Sequence, residues 1–171
     1  MSNEIKNRVS ESSIITIDLE KFYPKGNREF IDMSHWLDNG LVLREKEFRK
    51  KIESHKWISY KDKYVALGCS SNAILPSWAS LLVVSHIEPY AKKIIHGSLK
   101  ELENIIIEDV IKTLDINNYK DKPVIIKGCS DNSIPENAYV QLIILLKTVS
   151  RSLFYGEACS SVPIWKRSKT N

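Results

Sequence analysis

The chain has 171 residues, of which 43% are hydrophobic and 27% are charged, and its 25 basic and 21 acidic residues give a net charge of +4. With only 6 glycines and 6 prolines, the sequence is neither collagen-like nor of low complexity. No apolar run approaches the roughly 18 residues that cross a bilayer, and no secretory signal is expected at the N-terminus. The composition therefore predicts a cytoplasmic globular protein without a membrane partner, and its scattered basic residues disfavour nucleic-acid binding.

The N-terminal region, residues 1–40, contains two strand-like segments at 14–19 and 29–33. A turn signal rich in proline and glycine separates them at 23–27. The pattern predicts an antiparallel hairpin that packs on an edge of the core as an N-terminal extension. Three carboxylates of this region are expected to be exposed hairpin residues: Asp18, Glu20 and Asp32.

An internal repeat follows this region. The tetrapeptide Tyr-Lys-Asp-Lys at 60–63 recurs at 119–122, which is 59 residues later. An apolar run follows each copy and leads into Gly-Cys-Ser, at 68–70 and again at 128–130. Lys127 is an extra residue in the second copy. So many matches in one order indicate a duplication.

The offset of 59 residues returns at Pro76 and Pro135, so the repeat extends well beyond the cysteines. We place the first repeat at 41–98 and the second at 99–157. The C-terminal segment, 158–171, holds a further Cys-Ser pair and a basic tail. All these segments are expected to form one compact domain.

Each repeat predicts the same order of elements: an amphipathic helix, a strand, the Gly-Cys-Ser turn, an apolar helix and a short closing strand. In the amphipathic helices, Phe48 and Ile52 correspond to Ile107 and Ile111. The apolar helices are predicted at 76–91 and 135–150, and the closing strands at 93–96 and 152–155. Strands that alternate with helices favour an α/β fold with a mainly parallel sheet.

The three cysteines carry the strongest functional signal. An odd number of cysteines in a cytoplasmic protein is not a disulfide framework. Cys69 and Cys129 each stand at the carboxyl end of a predicted strand, and Cys159 follows the last predicted strand. If the core strands form one parallel sheet, all three thiols emerge at one edge, where open α/β sheets bind ligands.

Metal binding is one use of three such thiols. Three thiolates with a fourth ligand suit tetrahedral zinc, and cysteine-rich sites also hold iron–sulfur clusters. His96 is the candidate fourth ligand because it closes a core strand at the same predicted edge, and Asp131 is a weaker candidate. The predicted metal ligands are therefore Cys69, Cys129, Cys159 and His96. The alternative is that these cysteines are small buried hydrophobes at copied turns.

Two other functions remain open. A cysteine in a loop that opens a helix can act as a nucleophile in sulfur transfer or redox chemistry, although no Cys-His-Asn signature is present. The chain could also be a non-catalytic interaction module. The apolar runs 81–84 and 142–146 offer more apolar surface than one sheet face needs, which makes a homodimer an alternative.

Five segments carry a resemblance to a known family: residues 7–9, 17–24, 88–93, 127–130 and 155–163. The chain resembles, over essentially its whole length, the bacterial domain-of-unknown-function family numbered 2480, which has no established activity. The resemblance implies that cysteines 69, 129 and 159 are shared within the family. It also implies that the genes lie near iron–sulfur assembly genes. Sulfur-handling or iron–sulfur proteins are then the expected partners, and a metal- or iron–sulfur-binding accessory factor is the expected function.

Overall fold

The computed structural model describes residues 14–128 and 134–168. The chain divides into two compact units. We call residues 24–105 the continuous unit, and residues 1–23 together with 106–171 the split unit. The continuous unit is thus inserted between the first strand and the remainder of the split unit.

Seven strands and four α-helices occur in the described residues. In chain order the strands are β1 (Ile15–Ile17), β2 (Arg28–Asp32), β3 (Tyr64–Gly68), β4 (Lys93–His96), β5 (Pro123–Ile126), β6 (Ser152–Tyr155) and β7 (Val162–Lys166). The helices are α1 (Glu45–Ser54), α2 (Ser77–Ile87), α3 (Leu99–Lys112) and α4 (Glu136–Lys147). Short 3₁₀ helices occupy Leu19–Phe22, Met33–Trp36, Trp57–Tyr60 and Ile116–Tyr119.

Each unit contains its own sheet. In the continuous unit the order is β2–β3–β4 and both pairings are parallel, with Phe30 opposite Ala66 and Ala66 opposite Ile95. In the split unit the order is β1–β5–β6–β7, where only β7 is antiparallel. The predicted α/β class with mainly parallel strands is therefore confirmed, although the strands form two sheets.

The two N-terminal strands exist, but the predicted hairpin between them is wrong. β1 pairs with β5, and β2 pairs with β3, both in parallel. The physical reason is that a strand pair and its crossover helix make a marginal sheet, which a third strand stabilises. Each N-terminal strand supplies that third strand to one unit. The turn residues between them form a loop instead, whose Pro24 and Gly26 carbonyls accept hydrogen bonds from the Arg28 guanidinium.

Both units repeat one order of elements: strand, 3₁₀ helix, α-helix, 3₁₀ helix, strand, α-helix, strand. The apolar helices begin directly after Pro76 and Pro135, as the sequence predicts. α2 ends at Ile87, before Pro89, whose ring and missing N–H are incompatible with a continuing helix. The closing strands have the predicted bounds.

Each unit has an apolar core between its sheet and its helices. In the continuous unit the fully buried side chains include Phe48 and Ile52 of α1 and Val83 of α2. In the split unit Ile107 of α3 and Leu142 of α4 occupy such positions. Burial of one such side chain stabilises the fold by about 1.5–3 kcal/mol. These positions therefore determine which side of each helix packs against the sheet.

Part of the apolar helix surface stays open. Leu81 of α2 is 67% exposed and Ile144 of α4 is 58% exposed. The homodimer that the sequence suggests stays a prediction. None of the helices in the described residues is long and apolar enough to cross a membrane.

β7 has no counterpart among the strands predicted from the sequence. The segment after residue 157 was expected to contain only a Cys-Ser pair and a basic tail. Instead Val162–Lys166 adds an antiparallel strand to β6, with a bulge where the pairing skips from Leu153/Trp165 to Phe154/Pro163. The missed signal is the short apolar run at 162–165, which includes the strand-favouring residues valine, isoleucine and tryptophan.

Candidate functional site

The carboxyl edge of the continuous unit's sheet gathers polar and reactive side chains. Asp32 is the last residue of β2, and His96 is the last residue of β4. Between them, β3 ends at Gly68, directly before Cys69. The register places Asp32 opposite Gly68 and His96 opposite Leu67, so the three strand ends are level. Ligands of parallel α/β sheets bind at such an edge.

A pocket of about 550 Å³ opens at this edge. Its lining includes Cys69 and His96, together with Met33 and with Ser77 and Ser80 of α2. Two of the residues predicted from the sequence, Cys69 and His96, therefore meet in one pocket. Its volume is within the usual range for small-molecule sites.

The first turn of α2 forms one wall of the pocket. Pro76 occupies the N-cap position, and no side chain caps the helix there. The first N–H groups of a helix lack partners within the helix, and their positive end favours an anion or a thiolate. Cys69 is half-buried, and its Sγ lies 3.2 Å from the Ser71 Oγ.

Asp32 anchors the loop that carries Cys69. One carboxylate oxygen accepts hydrogen bonds from the Ser34 N–H at 2.9 Å and the Ser70 N–H at 3.0 Å. The other accepts the Ser70 hydroxyl at 2.5 Å. Burial alone raises the pKa of Asp32, but the hydrogen bonds from Ser70 and Ser34 outweigh burial and hold that pKa well below its ordinary value. Asp32 is therefore a fixed negative charge beside the thiol-bearing loop.

His96 is exposed at the other side of the edge and is followed by the start of α3. There Ser98 and Glu101 form a reciprocal cap, in which the Ser98 N–H and hydroxyl both donate to one Glu101 oxygen at 2.7 Å. Hydrogen bonds from Ser98 lower the pKa of Glu101, and the positive charge of His96 adds to this effect. Gly97 has φ +150°, and a Cβ there would lie 2.7 Å from the Glu101 carboxylate. This turn therefore requires glycine.

The equivalent edge of the split unit is different. Asp18, which follows β1, receives a 3.0 Å ion pair from Lys127, which follows β5. The hydrogen bond to Asp18 raises the pKa of Lys127. Lys127, which the sequence pattern marks as extra in the second repeat, lies at the strand position of Gly68. Cys129 and Asp131 lie outside the described residues.

The expectation that one sheet edge holds all three thiols is wrong. Cys69 follows β3 in one sheet, whereas Cys159 lies exposed between β6 and β7, which belong to the other sheet. Each unit buries its own set of strands, so the repeats do not merge into one sheet. In residues 14–128 and 134–168, no group of three or more His, Cys, Asp or Glu side chains could hold a metal ion. The metal and iron–sulfur hypotheses therefore have no support here.

The prediction that Asp18 and Asp32 are exposed hairpin residues is wrong, since their side chains are each only 13% exposed. Each accepts a hydrogen bond from the backbone N–H two residues later and so starts a 3₁₀ helix. A signal was present in the sequence. Each aspartate follows an isoleucine and precedes an aromatic residue by four positions, Phe22 or Trp36. That pattern marks the two N-terminal strands as equivalent elements.

The comparisons with known proteins give one match. A family model described as "Protein of unknown function (DUF2480)" matches residues 3–167, which is nearly the whole chain. No curated protein matches the chain, and no solved structure matches it. The chain therefore belongs to the DUF2480 family of proteins of unknown function.

Proposed function

We propose that the continuous unit binds a small molecule in the pocket of Cys69 and His96, and that Cys69 acts there as a nucleophilic thiol in sulfur transfer. The observation that carries the proposal is that β3 and β4 bring a thiol and an imidazole to one pocket beside the uncapped start of α2. A helix N-terminus stabilises a thiolate, which is the reactive form of cysteine.

The number of thiols favours sulfur transfer over dithiol redox chemistry. Cys69 is the only cysteine of residues 24–105, all of which are described. A disulfide cycle within this unit would need a second thiol, and a zinc site would need further ligands. Transfer of one sulfur atom needs a single thiolate.

The proposed step conserves atoms and electrons. The Cys69 proton passes to solvent, and the thiolate attacks the outer sulfur of a persulfide donor. A sulfur–sulfur bond forms on Cys69, the sulfur–sulfur bond of the donor breaks, and the donor leaves as a thiolate. The donor is a persulfide on a small molecule or on a sulfur-handling protein partner.

Alkylation rates test whether Cys69 is an activated thiol. Native protein is treated with iodoacetamide at neutral pH, and mass spectrometry of peptides gives the separate rates for Cys69 and Cys159. Cys159 is the matched comparison because it is exposed, whereas Cys69 is half-buried. We expect Cys69 to react faster in spite of its burial. Equal or slower labelling of Cys69 contradicts the proposal.

Two further arms separate sulfur transfer from metal binding. With glutathione persulfide, we expect the Cys69 peptide to gain the mass of one sulfur atom, in wild type and in Cys159→Ser. Elemental analysis of anaerobically purified protein is the second arm. Stoichiometric zinc or iron in wild type that is lost in Cys69→Ser would overturn the proposal and favour a metal site.

A further inference from the structure

The split unit has a groove at the amino ends of β1, β5 and β6, whereas Cys159 follows the carboxyl end of β6. The groove has a volume of about 760 Å³. Ile14, Pro123 and Ser152 line it at the amino ends of β1, β5 and β6, and the register places Lys166 of β7 opposite Ser152. These residues form a row across four strands. The groove is thus independent of the Cys69 pocket and of the function proposed for it.

The groove extends onto the sheet face that points away from the helical core. Leu153 of β6 is fully buried in that core, so its neighbours Ser152 and Phe154 point to the other face. The bulge in β7 leaves Ile164 without a partner residue on β6, and Ile164 is 51% exposed. Phe154 and Ile164 therefore give the groove an apolar floor and an apolar wall.

Two cations border this apolar floor. The side chains of Arg151 and Lys166 are exposed, and they make no hydrogen bond or ion pair with the described part of the chain. Two other basic side chains of the same unit are paired: Arg167 with Asp121 at 2.6 Å, and Lys127 with Asp18. An apolar groove with uncompensated positive charge at its rim is complementary to an anionic amphiphile.

We propose that this groove binds a free aliphatic carboxylate. The hydrocarbon chain lies against Phe154 and Ile164, and the carboxylate is bound by Arg151 and Lys166. Guanidinium and ammonium groups make charge-assisted hydrogen bonds to carboxylates, which are stronger than neutral ones. The apolar wall adds affinity in proportion to the hydrocarbon surface that it removes from water.

Calorimetry with three ligands of equal chain length tests both halves of the site. Decanoate, decanol and decyltrimethylammonium are titrated below their micelle concentrations. We expect saturable binding of decanoate, at least tenfold weaker binding of decanol, and no binding of the cation. Equal affinity for decanoate and decanol overturns the role of the charges. Binding to anionic vesicles without saturable decanoate binding overturns the free carboxylate as the occupant.

Variants assign the binding to this groove. Arg151→Gln together with Lys166→Gln is expected to weaken decanoate binding by about tenfold or more, since each removes a hydrogen bond to a charged group. Lys120→Gln is the matched control, because Lys120 is an exposed basic residue of the same unit outside the groove. Unchanged affinity in the double variant, or an equal loss in the control, contradicts the proposal.

Tryptophan fluorescence gives a readout that a change of fold does not mimic. Trp165 lines the groove, whereas Trp36, Trp57 and Trp78 belong to the continuous unit. Decanoate brominated on its chain should quench wild-type fluorescence at concentrations that match the calorimetric affinity. The quenching should disappear in Trp165→Phe, and calorimetry with this variant measures the decanoate affinity that remains. Quenching that persists in Trp165→Phe places the ligand elsewhere and overturns the assignment.

Discussion

The two units build the same strand edge with different chemistry. In the continuous unit, Asp32 receives hydrogen bonds from the backbone and the hydroxyl of Ser70, next to Cys69. In the split unit, Asp18 receives the ammonium group of Lys127. The aspartate stands at the end of the first strand in both cases. Within the described residues, the hydrogen-bond network at Asp32 has an ion pair as its counterpart at Asp18.

Neighbouring side chains explain why the lysine is accommodated in only one unit. In the continuous unit, Gly68 pairs with Asp32. In the split unit, Lys127 lies one residue beyond the pair Ile17–Ile126, so Lys127 and Gly68 occupy equivalent positions. A Cβ at Gly68 would lie 2.9 Å from the Phe30 ring. Thr16 is the counterpart of Phe30 in β1, and its small side chain leaves more space. The Phe30 ring therefore favours glycine at this position of the continuous unit.

The largest expected effect compares the loss in free energy of unfolding at two equivalent core positions, Phe48 and Ile107. Phe48→Ala should lower the free energy of unfolding by about 3–5 kcal/mol, because it leaves a cavity where a fully buried ring had been. Ile107→Val, at the equivalent position of the second repeat, should lower it by only about 0.5–1.5 kcal/mol. Urea titrations followed by circular dichroism measure both values. Similar losses for the two variants would show that α1 is not packed as described.

The next effect compares the two aspartates directly. Asp32→Ala should lower the free energy of unfolding by about 2–4 kcal/mol, because two backbone N–H groups and the Ser70 hydroxyl lose a charged acceptor. Asp18→Ala should lower it by about 1 kcal/mol, since it removes a cap and a partly exposed ion pair. The same urea titrations decide the order. A larger loss for Asp18→Ala would reverse the comparison.

A smaller effect is expected at the glycine beside the Phe30 ring. Gly68→Ala should destabilise the protein by about 1 kcal/mol, because the ring must move to admit the methyl group. In the background Phe30→Thr, which introduces the residue of the split unit, the same substitution should have almost no effect. A double-mutant cycle of thermal unfolding measures this coupling. Additive losses would exclude the ring as the cause.

Acid sensitivity should distinguish the units as well. Burial lowers the pKa of His55 from its ordinary value of 6.5, and its ring packs 4.6 Å from that of Trp57. Below pH 6.5 the unfolded chain binds a proton that the folded chain resists, so this contribution to stability falls as the pH falls. Leu114 holds the equivalent position in the second repeat. His55→Leu should therefore flatten the loss of stability on going from neutral to mildly acidic pH.

Asp32 provides a control for the effect of His55 on stability at acidic pH. The lowered pKa of Asp32 stabilises the fold above the ordinary value of 3.8, and this contribution is lost only as the pH falls further. It therefore acts in a more acidic range than His55. Urea midpoints of wild type and His55→Leu, compared between neutral pH and about pH 5, measure the histidine contribution. An unchanged slope in the variant would assign the acid sensitivity to another group.

Local sequence patterns predicted most elements of the fold. The matched tetrapeptides, the apolar runs and the prolines at 76 and 135 identified the strands and helices of both repeats because these signals act within a few residues. They also predicted that Cys69 and His96 share an edge, since each ends or follows a strand of one repeat. The same local patterns did not predict which strands pair with each other. Residues 23–27 suggest a hairpin, yet β1 pairs with a strand more than a hundred residues away along the chain.

By itself, the sequence determined the element types, their order and the apolar faces, because periodicity and turn residues are local properties of the chain. Only the tertiary structure decided which strands share a sheet. That decision depends on which long-range pairing buries each strand, and several pairings satisfy the same local pattern. It also decided that Asp32 is held by Ser70 beside Cys69, and that Cys69 and Cys159 follow strands of different sheets. The proposed site thus changed from three thiols at one edge to Cys69 in a pocket of the continuous unit.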